Sequence, residues 1–293
     1  MKTLNSFRPL LSYKYFIFDC DGVLWHGSKE LYNSFNIIRL LQSQTKDYFL
    51  LTNDSTKTQF DGVSFIKRIA NFSLNPRRFF STAVLAADYA KARNYKDMYI
   101  VGGRAIFEEI GFALPESQLL GKDDSGKMDL DDKFFKRMHS EDTVDAVFVG
   151  KDVELNYYKL SSAICSVNKG ADLVACHKNL MYRKNGIMVP NSGTTVRAIE
   201  AATGKKAFDL GKPGNYGIKA ICRSFQINLE KEKDKMLLIG DNIGVEIMLA
   251  NSLGIDSLLV LSGNTTEKNL EENLKKNEGI VPTYILPCLT HEL

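Results

Sequence analysis

Lys14-Tyr15-Phe16-Ile17-Phe18-Asp19-Cys20-Asp21-Gly22-Val23-Leu24-Trp25 is the stretch whose reading decides the fold. Tyr15 to Phe18 is aromatic or β-branched, the composition of a buried strand. Two carboxylates, one residue apart, follow at its end. Side chains alternate along a strand, so Asp19 and Asp21 converge on one site only if the backbone leaves regular extension there. Gly22 permits that turn. Paired acids beside an apolar run are costly unless a cation or hydrogen bonds offset their charge. Mg²⁺ suits the demand, because it takes few carboxylates and keeps waters and phosphate oxygens in its shell. One carboxylate can then act as nucleophile while the other carries protons. A lone Asp-x-Asp-Gly is also an ordinary turn after a strand. The chemical reading therefore depends on what ends the neighbouring strands.

Outward from this stretch, strands and helices alternate. Glu30 to Gln42 carries Leu31, Phe35, Ile38 and Leu41 at helical spacing. Asp47 to Leu51 is a second strand, ending in Thr52-Asn53-Asp54-Ser55-Thr56, where Ser55 and Thr56 are good helix caps. Phe60, Val63, Ile66 and Ile69 mark the next helix, and Thr82 to Arg93 another. Met98 to Val101 is a strand, and Arg104 to Ile110 a helix. Pro115 to Asp132 is polar and acidic and reads as a long surface loop. Ala146 to Val149 and Leu173 to Cys176 are strands around a helix from Leu155 to Val167. Asn185-Gly186, within the polar stretch His177 to Pro190, reads as a hairpin turn. Helices follow at 194–202, 216–225 and 245–253, with strands at 235–239 and 257–261. This rhythm predicts an α/β fold with a doubly wound parallel sheet. The ends of the chain, 1–94 and 207–293, are expected to form one discontinuous core, and 95–206 an inserted α/β unit.

Ligands of open parallel sheets sit beyond the carboxyl ends of the strands. Four such ends carry chemistry: Asp19 and Asp21, Thr52-Asn53, Lys212 and Asp241. Phosphoryl transfer needs a nucleophile, anionic metal ligands and donors for the equatorial oxygens. Asp19 can attack phosphorus, Asp19 and Asp241 can hold a metal, and Thr52, the backbone at Asn53 and the Lys212 ammonium can donate. Singly, each residue has a plainer reading as helix cap, surface lysine or turn. Their order and shared placement favour one site.

Composition excludes several other classes. The formal net charge of +3 in 293 residues, with both signs interspersed, indicates neither a nucleic-acid nor a membrane surface. Five cysteines, odd in number and without a C-x-x-C, argue against a disulfide framework and for a reducing compartment. No apolar run reaches transmembrane length, and Met1 to Ser12 lacks a signal-peptide core, so a cytoplasmic location is expected. Cys20 reads as a small buried hydrophobe.

These motifs resemble those of the haloacid dehalogenase (HAD) superfamily. Phe18-Asp19-Cys20-Asp21-Gly22-Val23-Leu24 is similar to its first motif, Thr52-Asn53 to the second, Lys212-Pro213 to the third and Gly240-Asp241 to the fourth. Asp19 to Trp25, Leu51 to Lys57, and Pro190-Asn191-Ser192-Gly193-Thr194 ahead of Gly211-Lys212-Pro213 resemble the subgroup of 4-nitrophenylphosphatases, phosphoglycolate phosphatases, pyridoxal phosphate phosphatases and NagD proteins. The resemblance implies a Rossmann-like core with an inserted C2-type cap, and a Mg²⁺-dependent phosphatase acting on small phosphorylated metabolites. It implies that Asp19 forms an aspartyl-phosphate and that Asp21 is the acid and base. Asp19, the Asp21 carbonyl and Asp241 would hold the metal, and Thr52, Asn53 and Lys212 the phosphate. By analogy, a homodimer paired through the cap is expected. Phosphoglycolate is the favoured substrate, with 4-nitrophenyl phosphate as an artificial one; pyridoxal phosphate and a phosphotransferase reaction are the alternatives. The chain departs from the pattern at Asp54, where an asparagine is usual, and at Gly244, Val245 and Glu246, where further aspartates are usual. Within the cap, His177, Lys178, Tyr182 and Arg183 are the candidate contacts to the leaving group.

Overall fold

A computed structural model describes residues 1–127, 129–140, 142–184 and 186–290. Two compact units divide the chain: 1–52, 59–80 and 212–293 form the first, and 53–58 with 81–211 the second. Each is built on a sheet flanked by helices, an α/β architecture of the Rossmann-like kind.

The first unit centres on a seven-stranded sheet, in the order Lys2–Thr3, Tyr284–Leu286, Asp256–Val260, Met236–Gly240, Tyr15–Phe18, Asp47–Thr52 and Phe79–Ser81. Tyr15–Phe18 is buried at all four positions and pairs in parallel with Met236–Gly240 on one side and Asp47–Thr52 on the other. Burial on both faces explains why this strand reads as an unbroken apolar run rather than an alternating one. Phe16, Phe18, Trp25, Phe35, Leu237 and Ile239 share its core.

The second unit has a five-stranded parallel sheet in the order Phe208–Asp209, Asp172–Ala175, Ala146–Val149, Asp97–Val101 and Gln118–Leu120. Its core gathers Tyr99, Val147, Val149, Val167, Val196 and Ile199. An antiparallel hairpin, Met181–Lys184 with Ile187–Pro190, stands apart from that sheet. Gly186 takes φ +82° between the two strands; Asn185 lies outside the described residues.

The units divide at other points than the ranges 1–94, 95–206 and 207–293. Helix Thr82–Arg93 belongs to the second unit, where it packs on Arg104–Ala113 and Tyr89 stacks on Phe208 with ring centroids 4.8 Å apart. Residues 53–58 join it too, because Ser81 Oγ donates to Lys57 O at 2.7 Å and Lys151 N to Ser55 Oγ at 2.9 Å.

Three local expectations are corrected. The first helix starts at Phe35, not Glu30: Lys29–Glu30 pairs with Trp25–His26, Tyr32 and Asn33 take positive φ, and Glu30 Oε1 accepts from Phe35 N at 2.9 Å. The next helix is Gln59–Ala70, so Ser55 and Thr56 do not cap it, and Phe60 is 77% exposed despite its apolar phase. Residues 115–132 are not only a surface loop. They hold strand Gln118–Leu120 and a turn at Lys122–Asp124, where buried Asp124 accepts from Tyr99 OH at 2.6 Å and pairs with Lys127 at 2.6 Å. Acidic composition hid that turn, because a buried charge needs partners, and one of them, Tyr99, comes from a strand distant in sequence.

Candidate active site

Asp19 and Asp241 leave the ends of adjacent parallel strands in register. Ile239 pairs with Phe18, and Asp19 N donates to Ile239 O at 2.8 Å. Thr52 ends the strand on the other flank of Tyr15–Phe18 and is buried. The structure thus brings three of the four predicted strand ends side by side. Lys212, ahead of helix Tyr216–Ser224, supplies the fourth part: its Nζ pairs with Asp19 Oδ1 and, at 2.8 Å, with Glu246 Oε1.

Asp19, Asp241 and Glu246 are all buried and offer carboxylate oxygens within 4.8 Å of one another. Three acids crowd together, and the Lys212 ammonium pairs with two of them, Asp19 and Glu246, which leaves an excess of carboxylates in a low-dielectric place. Its signature is in the acidities. Burial and the Asp19 charge push Asp241 up to about 6; burial, against the pull of Lys212, pushes Glu246 up to about 8. Burial opposes the Lys212 charge, but Asp19 and Glu246 outweigh it and raise the ammonium's pKa. Glu246 Oε2 is buried without a hydrogen-bond partner among the described residues. A group of carboxylates with an orphaned oxygen fits a hard divalent cation such as Mg²⁺.

Two glycines make room for Asp241. A Cβ at Gly22 (φ +85°) would fall on Asp241 Oδ2 and lie 2.8 Å from Asp241 Cγ. A Cβ at Gly263 would also overlap Oδ2, 2.7 Å from Asp241 Cγ and 2.8 Å from Gly22 Cα. The same Oδ2 accepts from Asn264 N at 2.6 Å and Asn264 Nδ2 at 2.8 Å, while Thr265 N donates to Asp241 O at 2.9 Å. Gly263 and Asn264 were missed from the sequence; a Gly-Asn pair just after the strand Asp256–Val260 was the available signal. Gly263→Ala is expected to displace the Asp241 carboxylate and weaken binding of a divalent cation at this group about 10- to 100-fold. Calorimetric titration with Mg²⁺ measures this; native affinity in the variant would refute it.

Glu246 reaches the group through a wide helical turn. Ile243–Ile247 is a π-helical turn leading into Met248–Leu253, in place of the single helix expected from Val245. Such turns recur at functional sites. The side chain lies against Gly240, where a Cβ would come 3.0 Å from Glu246 Cδ. Asn242 Oδ1 accepts from Gly244 N at 3.0 Å and starts the turn.

Asp21 does not join this group. It is exposed, and the carboxylate that stands with Asp19 and Asp241 is Glu246. The metal contact expected at Asp21 was through its backbone carbonyl, not its side chain. Asn53 lies in the second unit, where its carbonyl accepts from Thr82 Oγ1 at 3.1 Å.

Two family models match the chain on either side of its middle. One, described as haloacid dehalogenase-like hydrolase, matches residues 16–112, and one described as HAD-hydrolase-like matches 209–291. This chain belongs to the HAD-like hydrolases. It is 29% identical over 287 residues to phosphoglycolate phosphatase 2 of Arabidopsis thaliana, covering 96% of this chain and 92% of that protein. It is 28% identical to a glycerol-3-phosphate phosphatase of Gallus gallus, covering 93% and 88%. The p-nitrophenyl phosphatase of Archaeoglobus fulgidus shares its fold, with a TM-score of 0.81 at 18% identity over 95% of this chain and 97% of that one.

Within this HAD-like hydrolase the departures at Asp54 and Gly244 have local explanations. Asp54 Oδ1 accepts from Thr56 N at 2.8 Å and Thr56 Oγ1 at 2.6 Å, and its other oxygen pairs with Lys57. Burial pushes Asp54 up, but Lys57 and the Thr56 donors prevail and hold its pKa below the usual range. The extra acid is thus an internally neutralised turn. At Gly244 a side chain would meet Asn277 Oδ1 at 2.9 Å.

The expected leaving-group contacts fare unequally. Lys178 is occupied by Glu200 at 3.1 Å and Ala207 O at 2.8 Å, and Arg183 by Gly186 O at 3.0 Å. His177 is buried. Its Nδ1 accepts from Asn179 N at 3.3 Å, which leaves Nε2–H to donate to Ser192 Oγ at 3.0 Å, and that hydroxyl donates to His177 O at 3.0 Å. This closed network pins 177–179 to the start of helix Ser192–Thr203 and needs a neutral ring. Burial accordingly lowers the imidazole pKa to about 4. A folded pKa below the unfolded one gives stability that is complete above about pH 6.5 and is lost as pH falls toward 4. Roughly 3 kcal/mol should disappear across that window. His177→Gln should flatten the native melting-temperature profile between pH 6.5 and 4; parallel profiles would refute the assignment.

Proposed function

We propose that this chain is a Mg²⁺-dependent phosphatase that hydrolyses small phosphate monoesters through an aspartyl-phosphate on Asp19. Phosphoglycolate is the favoured substrate and 4-nitrophenyl phosphate an artificial one. The carrying observation is the carboxylate group itself: Asp19 shares the Lys212 ammonium with Glu246 and stands beside Asp241. The names of the Arabidopsis and chicken relatives, both phosphatases of small monoesters, support the reading.

In this mechanism a carboxylate oxygen of Asp19 attacks phosphorus, and the bond to the leaving oxygen breaks as Asp21 gives that oxygen a proton. Water then attacks the aspartyl-phosphate, and Asp21, now a base, takes its proton; inorganic phosphate leaves and Asp19 is restored. The exposure of Asp21 suits a group that must exchange protons. Thr52, Asn53 and Lys212 donate to the phosphate oxygens. Asp19, the Asp21 carbonyl and Asp241 would hold the ion. Bound Mg²⁺ supplies charge neutralisation for the phosphoryl oxygens. Residues 1–52, 59–80 and 212–293 serve as the catalytic core, and the other unit as the cap that excludes water and reads the leaving group.

Among the described residues, no helix is long and apolar enough to cross a membrane. We place the protein in the cytoplasm, where its five free cysteines remain reduced, and expect a homodimer through the cap. The test is product analysis on a panel of phosphate monoesters, including pyridoxal phosphate, with Mg²⁺ and with EDTA. Free phosphate equal to substrate consumed, and none with EDTA, is expected. Transfer to an added sugar acceptor would favour a phosphotransferase, and a preference for pyridoxal phosphate would change the substrate.

A further inference from the structure

Gly22 stands between Asp21, the acid and base of the proposed reaction, and the apolar turn Val23 to Trp25, and it takes φ +85°. Glycine is the residue least able to hold its own backbone angles. A side chain carried beside one is placed only as well as the two peptides around the glycine are held. Asp21 is exposed, so burial does not lock it in place. Both peptides are held by hydrogen bonds instead. In the Asp21–Gly22 peptide, Gly22 N donates to Trp25 O at 2.7 Å. In the Gly22–Val23 peptide, the Gly22 carbonyl accepts from Ser262 Oγ at 2.7 Å. The first contact is internal to the turn. The second comes from 240 residues away, in the loop after strand Asp256–Val260.

That loop is itself fixed. Asn264 N and Nδ2 hold Asp241 Oδ2 at 2.6 and 2.8 Å, and Thr265 N holds the Asp241 carbonyl at 2.9 Å. Asn269 closes the loop: its Oδ1 accepts from Thr266 N at 2.6 Å and its Nδ2 donates to Asn264 O at 3.1 Å. Gly263 packs against Gly22, where a Cβ would come 3.1 Å from Gly263 Cα. One loop therefore grips both Asp241 and the turn that carries Asp21. All of these residues belong to the first unit.

We infer that Ser262 is a positioning residue for proton transfer: through the Gly22 carbonyl it fixes the turn that aims Asp21 at the leaving oxygen. The inference rests on the phosphatase reading, in which Asp19 takes the phosphoryl group, the P–O bond breaks and the leaving oxygen takes the Asp21 proton. The need for that proton depends on the leaving group. An alkoxide is strongly basic and leaves with difficulty unless it is protonated. The ring of 4-nitrophenolate spreads the charge, and it leaves as the anion. Poor aim at Asp21 thus penalises alkyl phosphates and spares 4-nitrophenyl phosphate. One hydrogen bond of this kind is worth about threefold to tenfold.

The test measures kcat/KM at saturating Mg²⁺ for phosphoglycolate, glycerol 3-phosphate and 4-nitrophenyl phosphate. This parameter covers the steps up to departure of the leaving group, so hydrolysis of the shared aspartyl-phosphate drops out. In Ser262→Ala, the ratio of each alkyl phosphate to 4-nitrophenyl phosphate should fall about threefold to tenfold. A ratio taken on one preparation does not depend on how much of it is folded. Ser262→Thr, which keeps the hydroxyl, should retain the native ratio. Asp21→Asn should lower the ratio further, by about 10²-fold or more. Adding Ser262→Ala to Asp21→Asn should leave that ratio where it is, because the two residues act as one unit. Equal losses on all three substrates would make Ser262 a purely structural residue and overturn the inference. So would a further fall in the double variant. A native protein that releases no phosphate from any of the esters removes the phosphatase reading, and the inference with it. Native turnover with a ratio that Asp21→Asn lowers and Ser262→Ala does not removes only the role of Ser262.

Discussion

Asp19→Asn is expected to lower phosphate release from 4-nitrophenyl phosphate by at least about 10³-fold at saturating Mg²⁺, because an amide oxygen is a poor nucleophile toward phosphorus. The fold should survive the change. Lys212 keeps its pairing with Glu246 at 2.8 Å, and Asn264 still holds Asp241. Removing one of three neighbouring buried carboxylates also relieves repulsion. Native protein quenched during turnover should give a hydroxylamine-trappable acyl phosphate at Asp19, and the variant none. Equal rates in the two proteins would end the covalent mechanism. Full activity with no trappable species would leave direct attack by water as the route.

The second large effect is expected on stability. Lys212 is the cation that Asp19 and Glu246 share, and all three side chains are buried. Lys212→Met strands these acids beside Asp241 with no ammonium among them. Breaking a buried pair by deleting one partner costs roughly 3–5 kcal/mol, which lowers the melting temperature on the order of 10 °C. Part of the loss should return in Lys212→Met combined with Glu246→Gln, which neutralises one stranded charge. Added Mg²⁺ should restore another part, since a ligand that binds only the folded state stabilises it by mass action. Melting curves with Mg²⁺ and with EDTA measure all three. A single variant that melts with the native protein would show that Lys212 is not the counter-charge of this group.

Much of this site was legible in the chain because three of its parts, Asp19, Thr52 and Asp241, lie at the ends of strongly apolar strands. Tyr15–Phe18, Asp47–Thr52 and Met236–Gly240 are buried on both faces, so each reads as a short apolar run with a polar stop. The stops are the site. Gly22 was readable for the same reason: a glycine after two acids signals a bend, and φ +85° is what it adopts. The cap was harder to read. Lys178, Arg183 and His177 look alike as polar residues of one loop, yet Glu200, Gly186 and Ser192 each engage one of them. Tyr182, in the same stretch, is faced by Lys151 from outside it.

By itself, then, the amino-acid order determined the α/β alternation, the strand ends that bear Asp19, Thr52 and Asp241, and the membership of Lys212 in the same site. Local burial imprints these in any short window of residues. Tertiary structure alone decided that Gly263 and Asn264 close around Asp241, that a π turn carries Glu246 rather than Asp21 to the carboxylate group, and that Lys151 meets Ser55 and Tyr182. Those contacts join segments far apart in the chain. They depend on sheet register and on the phase of a helical turn, which hydrophobic periodicity does not encode.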